Sequence, residues 1–355
     1  MIVQTIPQGG TIGILGGGQL GRMMAMAAAQ LGYRCIGYAP EGDNVASPVC
    51  ADFFTNDWDD RPALAAFAQK CDVITWEFEN VPVDTVKALP QDRVPCGHRA
   101  LEVAQDRMAE KRFVEGLGGR PAPHAAIHSA DDITQAAERI GTPAILKTCR
   151  EGYDGKGQWR VDSAHDLPGL PAPTQPCVYA GFVRFGAEFS VILARGQDGE
   201  IRFWDSALNE HEGGILARSI LPAPDRVTRH VEAARDLARQ VADALHYVGV
   251  LTLEFFATAD GPVFNEMAPR VHNSGHWSIE GAATSQFENH IRAICGLPLG
   301  DTATLGSVEM RNLIGAETGS AFSLLSDPAN HLHLYGKASA REGRKMGHVT
   351  RVTRV

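Results

Sequence analysis

The stretch Gly249-Val250-Leu251-Thr252-Leu253-Glu254-Phe255-Phe256-Ala257-Thr258-Ala259-Asp260-Gly261-Pro262-Val263-Phe264-Asn265-Glu266-Met267-Ala268-Pro269-Arg270 holds two apolar, strand-like runs around an Asp-Gly turn. Each run carries one acid. Antiparallel partners keep a constant sum of residue numbers, so a hairpin closed around Asp260 sets Glu254 opposite Glu266. Like charges facing each other across a sheet repel. On a half-apolar sheet that repulsion is relieved only if one carboxyl keeps its proton or a cation lies between the two. Hard oxygen ligands of this kind suit Mg²⁺ held together with a polyphosphate, so the stretch predicts a Mg²⁺–nucleotide site. A lone strand glutamate more often faces solvent. The pairing, with Asn265 adjacent and Arg270 shortly after, favours the metal.

The chain around this hairpin reads as an ordinary globular protein. Its 355 residues suffice for about two or three domains, and 44% hydrophobic with 21% charged residues excludes a disordered chain. No apolar run is long enough to span a bilayer and no signal peptide is evident, so a cytoplasmic location with no membrane partner is expected. Seven cysteines without Cys-x-x-Cys spacing point to reduced, buried thiols. The net charge of −9 disfavours general nucleic-acid binding. Lys337, Arg341, Arg344, Lys345, Arg351 and Arg354 nevertheless make the C-terminal end basic, either as a solvated tail or as a phosphate pocket.

The N-terminal part alternates strand and helix. Gly10 to Leu15, Arg34 to Tyr38 and Val73 to Trp76 read as strands, Gln19 to Leu31 and Trp58 to Gln69 as helices, which predicts a small parallel sheet with right-handed crossovers. Pro95-Cys96-Gly97 opens two helical stretches, and Gly118-Gly119-Arg120-Pro121-Ala122-Pro123 reads as a linker. Beyond it, strands are expected at Ala144 to Thr148, Cys177 to Val183, Glu188 to Ala194 and Glu200 to Asp205. A long helix is expected from Asp225 as N-cap, with Val231, Ala234, Leu237, Ala238, Val241 and Leu245 on one face. Grouped strands with few helices suggest an antiparallel sheet covered by helices.

Three further segments carry chemistry. Gly152-Tyr153-Asp154-Gly155-Lys156-Gly157 follows the strand ending near Lys147, and its glycines let backbone N–H groups turn toward an anion. It is not a Walker A loop, and a flexible hairpin turn is the plainer reading. Gly16-Gly17-Gly18-Gln19-Leu20-Gly21 lies between a strand and a helix, where a helix N-terminus attracts an anion. A dinucleotide site would want an acid closing the second strand, but Gly37-Tyr38-Ala39-Pro40 is neutral, so a phosphate on a small substrate is preferred over simple strand–helix packing. Arg270-Val271-His272-Asn273-Ser274-Gly275-His276-Trp277 is dense in polar donors beside a buried strand, which favours a substrate site over a surface loop. Gly336-Lys337 and Gly343-Arg344-Lys345 could add phosphate clamps.

Together these segments resemble the ATP-grasp superfamily and, within it, the N5-carboxyaminoimidazole ribonucleotide synthases. The resemblance rests on Gly16 to Met23, Glu77-Phe78-Glu79-Asn80-Val81-Pro82, Gly152 to Gln158, Asn265 to Trp277, Ser285 to His290 and Gly343 to His348. It implies an α/β and α+β fold of ATP-grasp architecture: an N-terminal Rossmann-like parallel-sheet domain (1–120), a small central lid domain (121–184) and a C-terminal antiparallel-sheet domain (185–355). It also implies ATP and Mg²⁺, with Glu254 and Glu266 on the metal and Asn265 alongside. Arg107 and Lys147 would contact the phosphates, residues Gly152, Tyr153, Asp154, Gly155, Lys156, Gly157 and Gln158 would form a glycine lid, Glu188 would hold the ribose, and His211 would lie near the nucleotide. The adenine hinge corresponds to Ala180, Gly181, Phe182 and Val183, where relatives usually carry an acid and only backbone recognition carries over.

For 5-aminoimidazole ribonucleotide (AIR) the matched positions are Gln19, Leu20, Glu77, Tyr153, Asp154, Arg270, His272, Asn273, Ser274, Lys337 and Arg344. The implied reaction is ATP-dependent carboxylation of AIR by bicarbonate through carboxyphosphate, with Asp154, Arg270 and Lys147 as catalytic candidates. A homodimer and a downstream mutase that receives the labile product are the implied partners. Two rivals remain at this point: a formate- or biotin-type ligase sharing the nucleotide parts, and a nicotinamide-dependent oxidoreductase resting on Gly16 to Gly21.

Overall fold

The computed structural model describes residues 4–150 and 157–353. Four short parallel strands open the chain, lying side by side in the order Asp52–Thr55, Arg34–Ala39, Thr11–Leu15 and Val73–Trp76. The edge strand Asp52–Thr55 was not expected, because two phenylalanines between polar residues show no long period. Its partners are tertiary: Phe54 packs on Tyr38 and Phe67, with ring centroids 6.3 and 5.8 Å away. The helix expected from Trp58 starts at Arg61, since the Asp60 carboxylate accepts a hydrogen bond from Ala63 N at 3.0 Å and caps it there.

A second, larger sheet of nine antiparallel strands forms the body of the protein. Its path runs Gly261–Ala268, Gly249–Thr258, Ala187–Arg195, Leu208–Glu212, Ile215–Leu221, Ser307–Ile314, Lys345–Thr353 and Asn330–Leu334, with Ile201–Phe203 attached to Ala187–Arg195. The helices Asp225–Ala244 and Gln286–Ile294 pack against it. Pro224, not Asp225, is the N-cap of the former; Asp225 sits inside the first turn, where its charge complements the helix dipole.

The third sheet is separate. His124–Ile127, Cys177–Gly181, Ala144–Thr148 and Gln158–Val161 pair antiparallel, and the helix Ala130–Ile140 covers them. Ile127, Ile133, Leu146, Val161 and Tyr179 form its own small core, whereas one continuous core joins the first sheet to the large one. The strand expected to run to Val183 ends at Gly181, because Phe182 N leaves the ladder to donate to Pro143 O. The linker before this unit is anchored: Phe264 N donates to Arg120 O at 2.9 Å.

The hairpin that opened the sequence reading exists, with a different turn. Thr258 pairs with Gly261 and Phe255 with Phe264, so the chain reverses on Ala259-Asp260, and Gly261 has a φ of +116°. This register alone would put Asn265 across from Glu254. A bulge beyond Phe255 inserts one extra residue on the returning strand, and Glu254 pairs with Glu266 after all. The expected pairing is present, but the bulge rather than the turn produces it.

A buried imidazole ties the first sheet to the large one. Val250 N donates to His290 Nδ1 at 3.0 Å, so the other ring nitrogen carries the proton and faces Thr75 Oγ1 at 2.8 Å. Burial pulls the His290 pKa down to about 4. A histidine depressed in the folded state lets the unfolded chain take the proton first, so its contribution is complete above about 6.5 and is lost as pH falls toward 4. Between pH 8 and pH 5 this group is expected to remove about 2 kcal/mol of stability. Denaturant titrations of wild type and His290→Gln at both pH values test this: the variant should lose less on acidification, and equal losses would contradict it.

Candidate active site

A cleft of about 810 Å³ opens where the three sheets meet. One wall is the hairpin. Glu254, Asn265 and Glu266 all line it, because the bulge turns two consecutive residues of the returning strand to the same side. The paired acids are unequal: the Glu254 side chain is 15% exposed and that of Glu266 44%. Burial, with the Glu266 charge second, raises the Glu254 pKa to about 7. One acid of the pair therefore holds a proton through much of the neutral range unless a cation replaces it.

Cations face this pair. Arg107, in the first turn of the helix Arg107–Gly116, places Nη1 3.4 Å from Glu266 Oε2. Lys147 projects into the cleft from the strand Ala144–Thr148, where burial and the Arg107 charge pull its pKa down to about 8. One turn along the same helix, Glu110 and Lys111 are buried. Glu110 Oε1 accepts Met267 N at 2.6 Å, holding the bulged strand against the helix. Burial raises the Glu110 pKa to about 8 against the opposing charge of Lys111, which burial in turn depresses.

Ala180, Gly181, Phe182 and Val183, expected at an adenine hinge, line the cleft beside Gln158, Phe185 and Phe256. Phe185 stacks on Phe256 at 4.6 Å, an apolar shelf at the hinge. Glu188 and His211 also line it, with Nδ1 3.0 Å from Oε2. Burial opposes charge on His211, but Glu188 outweighs it and the pKa is raised.

The far end gathers Gln19, Leu20, Glu77, Arg270, His272 and Asn273. Trp76 Nε1 and Tyr247 Oη both donate to Pro269 O, at 2.9 and 2.7 Å, fixing where this loop leaves the hairpin. Arg270 pairs with Glu79 and donates to Val271 O. His272 Nε2 lies 3.3 Å from Glu254 Oε1, and burial followed by the Arg270 charge keeps its pKa well below the usual histidine range.

Several expectations change. The helix N-terminus after Gly16-Gly17-Gly18 was expected to meet a substrate phosphate. Instead the buried Glu77 carboxylate takes two of its donors, accepting Gly18 N at 2.8 Å and Gly21 N at 3.1 Å. A Cβ on Gly18 would come within 2.6 Å of Glu77 Oε1, so the glycine makes room for an internal carboxyl group. Ser274, matched to AIR, is 1% exposed and does not line the cleft; its hydroxyl is taken by Ser190 and His272. Gly157 does not line it either: at φ +66° it packs on Thr148. Lys337 and Arg344 also stand outside the lining. Arg344 Nη2 donates to Asp43 Oδ2 at 2.7 Å, and burial with Arg344 nearby pulls the Lys337 pKa down to about 8. Gly152, Tyr153, Asp154, Gly155 and Lys156 fall outside the described residues.

The sequence reading missed Glu79, Glu110 and Lys111 as cleft residues, while Lys345, read as part of a possible phosphate clamp, does line the cleft. Arg107, Glu110 and Lys111 share one helix face at i, i+3 and i+4, a signal that existed but pointed equally to a solvated face.

Three family matches cover most of the chain: a ribonucleotide synthetase preATP-grasp domain over residues 10–105, an ATP-grasp domain over 112–287, and a phosphoribosylaminoimidazole carboxylase C-terminal domain over 309–354. The N5-carboxyaminoimidazole ribonucleotide synthase of Brucella melitensis is 46% identical, covering 98% of this chain and 98% of that protein. That of Bacillus subtilis is 41% identical, covering 99% and 93%. The crystal structure of an ADP complex of an N5-carboxyaminoimidazole ribonucleotide synthetase superposes with a TM-score of 0.93 at 38% identity, covering 99% of this chain and 94% of that one.

Glu110→Ala is expected to destabilise the fold by roughly 1–3 kcal/mol, because Met267 N–H would be left buried without an acceptor. Glu110→Gln keeps an oxygen there and should cost less. Urea unfolding of both variants measures this, and an equal loss would remove the hydrogen bond from the explanation.

Proposed function

The chain belongs to the N5-carboxyaminoimidazole ribonucleotide synthase family of ATP-grasp enzymes, and from that membership and the cleft's geometry we propose that it is an ATP-dependent carbon–nitrogen ligase that carboxylates AIR. The observation that carries the reading is the bulged pair Glu254–Glu266 in one cleft with Arg107 and Lys147, its other end holding Arg270 and His272. An acidic pair facing cations suits a metal–triphosphate, and the loop beyond it is poised for a second substrate.

Magnesium fits the donor set. Two facing carboxylates with an adjacent amide are hard oxygen ligands, and magnesium commonly takes one or two carboxylates and completes its shell with substrate phosphates and water. Glu254 and Glu266 would hold it, with Asn265 alongside; when bound it would supply positive charge to the β- and γ-phosphate oxygens. The same cation would offset both the burial and the Glu266 repulsion that raise Glu254.

In this reading Arg107 and Lys147 bind the phosphates, Gln158 and residues 152–156 contribute to the nucleotide site, residues 180–183 and the Phe185–Phe256 shelf receive the adenine, and Glu188 with His211 meets the ribose side. Bicarbonate oxygen attacks the γ-phosphorus, ADP leaves, and the mixed anhydride carboxyphosphate forms. Two anions must approach for this step, so Lys147 and Arg270 spread the charge. The exocyclic amine of AIR then takes the carboxyl carbon, phosphate leaves, and the amine proton passes to a base, for which Asp154 is the candidate.

At the AIR end Gln19, Leu20, Glu77, His272 and Asn273 would contact the nucleotide, with Lys337 and Arg344 on its phosphate. Carboxyphosphate hydrolyses readily, so closure against water is required before it forms. Its carbamate product is also labile, which supports direct use by a downstream mutase; a homodimer and a cytoplasmic location complete the reading. Among the described residues no helix is long and apolar enough to cross a membrane.

ADP release measured with and without AIR and bicarbonate tests the function: turnover should require both. Turnover with another acceptor in place of AIR would favour a formate- or biotin-type ligase. Glu266→Gln should abolish ADP release while leaving the thermal midpoint nearly unchanged, and undiminished turnover would remove the metal assignment.

A further inference from the structure

Behind the wall of the cleft, buried polar side chains from three strands and one loop form an unbroken chain. Ser190 pairs directly with Glu254 across the sheet, so both project from the same face. Asn209 Nδ2, on the next strand, donates to Ser190 Oγ at 2.8 Å, and Ser219 Oγ donates to Asn209 Oδ1 at 2.8 Å. From the other side Ser274 meets His272 Nδ1 twice, its backbone N–H donating at 3.3 Å and its hydroxyl lying 2.8 Å away, and the same hydroxyl is 2.9 Å from Ser190 Oγ. The remaining ring nitrogen, Nε2, is 3.3 Å from Glu254 Oε1.

Nothing in apolar packing calls for these residues. Ser190 sits in the strand Ala187–Arg195 among Phe189, Val191, Ile192 and Leu193, and the four polar side chains are 1–4% exposed. Buried hydroxyls and amides are tolerated when their hydrogen bonds are made, and here they are made only to one another and to His272. An imidazole engaged at both nitrogens is held in one plane and one protonation pattern. Glu254 in turn is the buried member of the acidic pair.

We infer that Ser190 and Ser274, backed by Asn209 and Ser219, are positioning residues that lock the His272 imidazole between the loop 272–275 and Glu254, and so keep the AIR end of the cleft in register with the metal–nucleotide end. The kinetic consequence rests on the AIR-carboxylating reading; the geometry does not. Ser274 thereby acts on AIR through His272.

Two measurements separate these layers. In ¹⁵N-histidine NMR spectra, the His272 ring nitrogens, assigned by their loss in His272→Gln, should show a single tautomer in wild type and averaged shifts in Ser190→Ala. Ser274→Ala, on the loop rather than in the sheet, should do the same, and Ser190→Thr should restore the wild-type pattern. Unchanged ring shifts in both alanine variants would overturn the inference, whatever the substrate.

In steady-state assays Ser190→Ala and Ser274→Ala should each raise KM for AIR about tenfold, in keeping with the loss of a side chain that orients another. KM for MgATP should stay within about twofold, and the double variant should be little worse than either single one. KM values for both substrates rising together with a falling thermal midpoint would reduce the chain to a structural prop. Absence of AIR-dependent turnover in wild type would sink the proposed function, and the NMR arm alone would then decide the positioning role.

Discussion

Two carboxylates held opposite each other on a buried hairpin are the constraint around which the rest of the cleft is arranged. Glu254 and Glu266 would repel across any ordinary antiparallel pair, and burial limits the water that can screen Glu254. The protein answers in layers. Burial shifts the proton affinity of Glu254 to about 7, Arg107 lies beside Glu266, and Glu110 fixes Met267 so that the bulge cannot relax. Asn265, the extra residue, turns into the cleft as a result. A one-residue irregularity therefore sets three neighbouring oxygen-bearing side chains on one wall.

That wall would be idle without a fixed opposite end. Trp76 from the first sheet and Tyr247, in the connection leading into the strand Gly249–Thr258 of the large one, both donate to the same carbonyl, Pro269 O, immediately before Arg270. Glu79 holds the guanidinium that follows. The continuous core beneath these contacts joins the two sheets, whereas the small sheet carrying Lys147 has a core of its own. Lys147, Ala180 and Gly181 thus belong to a unit with a core separate from that of the acids they face. Such an arrangement allows a cleft to change width without disturbing either hydrophobic core.

How much of this was legible in the sequence depended on the range of the interaction responsible. Alternation and turn chemistry located Thr11–Leu15, Val73–Trp76, Ala144–Thr148 and the hairpin, because period and punctuation are local signals. Most of the polar residues matched by resemblance do meet in one cleft. Asp52–Thr55 was missed because its aromatics are held by Tyr38 and Phe67 rather than by its own pattern. The turn after Gly16 was read as open to a ligand phosphate, since nothing local reveals that Glu77, far along the chain, supplies the acceptor. Ser274 likewise looked like a ligand contact until the Ser190 hydroxyl beneath it was visible. The bulge at Asn265 has no signature in composition at all.

The charge pattern inside the cleft bears on how a polyanion would be received. His272, which lines the cleft, and His276 and His348, which do not, are all kept below the ordinary histidine range, first by burial and then by neighbouring charged or titratable groups, whereas Glu188 raises His211. Apart from His211, the positive charge comes from arginine and lysine. Lys147 is pulled to about 8 by burial and by Arg107, which means that its charged form is only weakly favoured while the two cations face each other. A phosphate between them would reverse both effects, since it attracts each cation and screens one from the other. Anion binding and full protonation of Lys147 are thus coupled: each favours the other, and the cations that repel in one state become a matched pair around the ligand in the next.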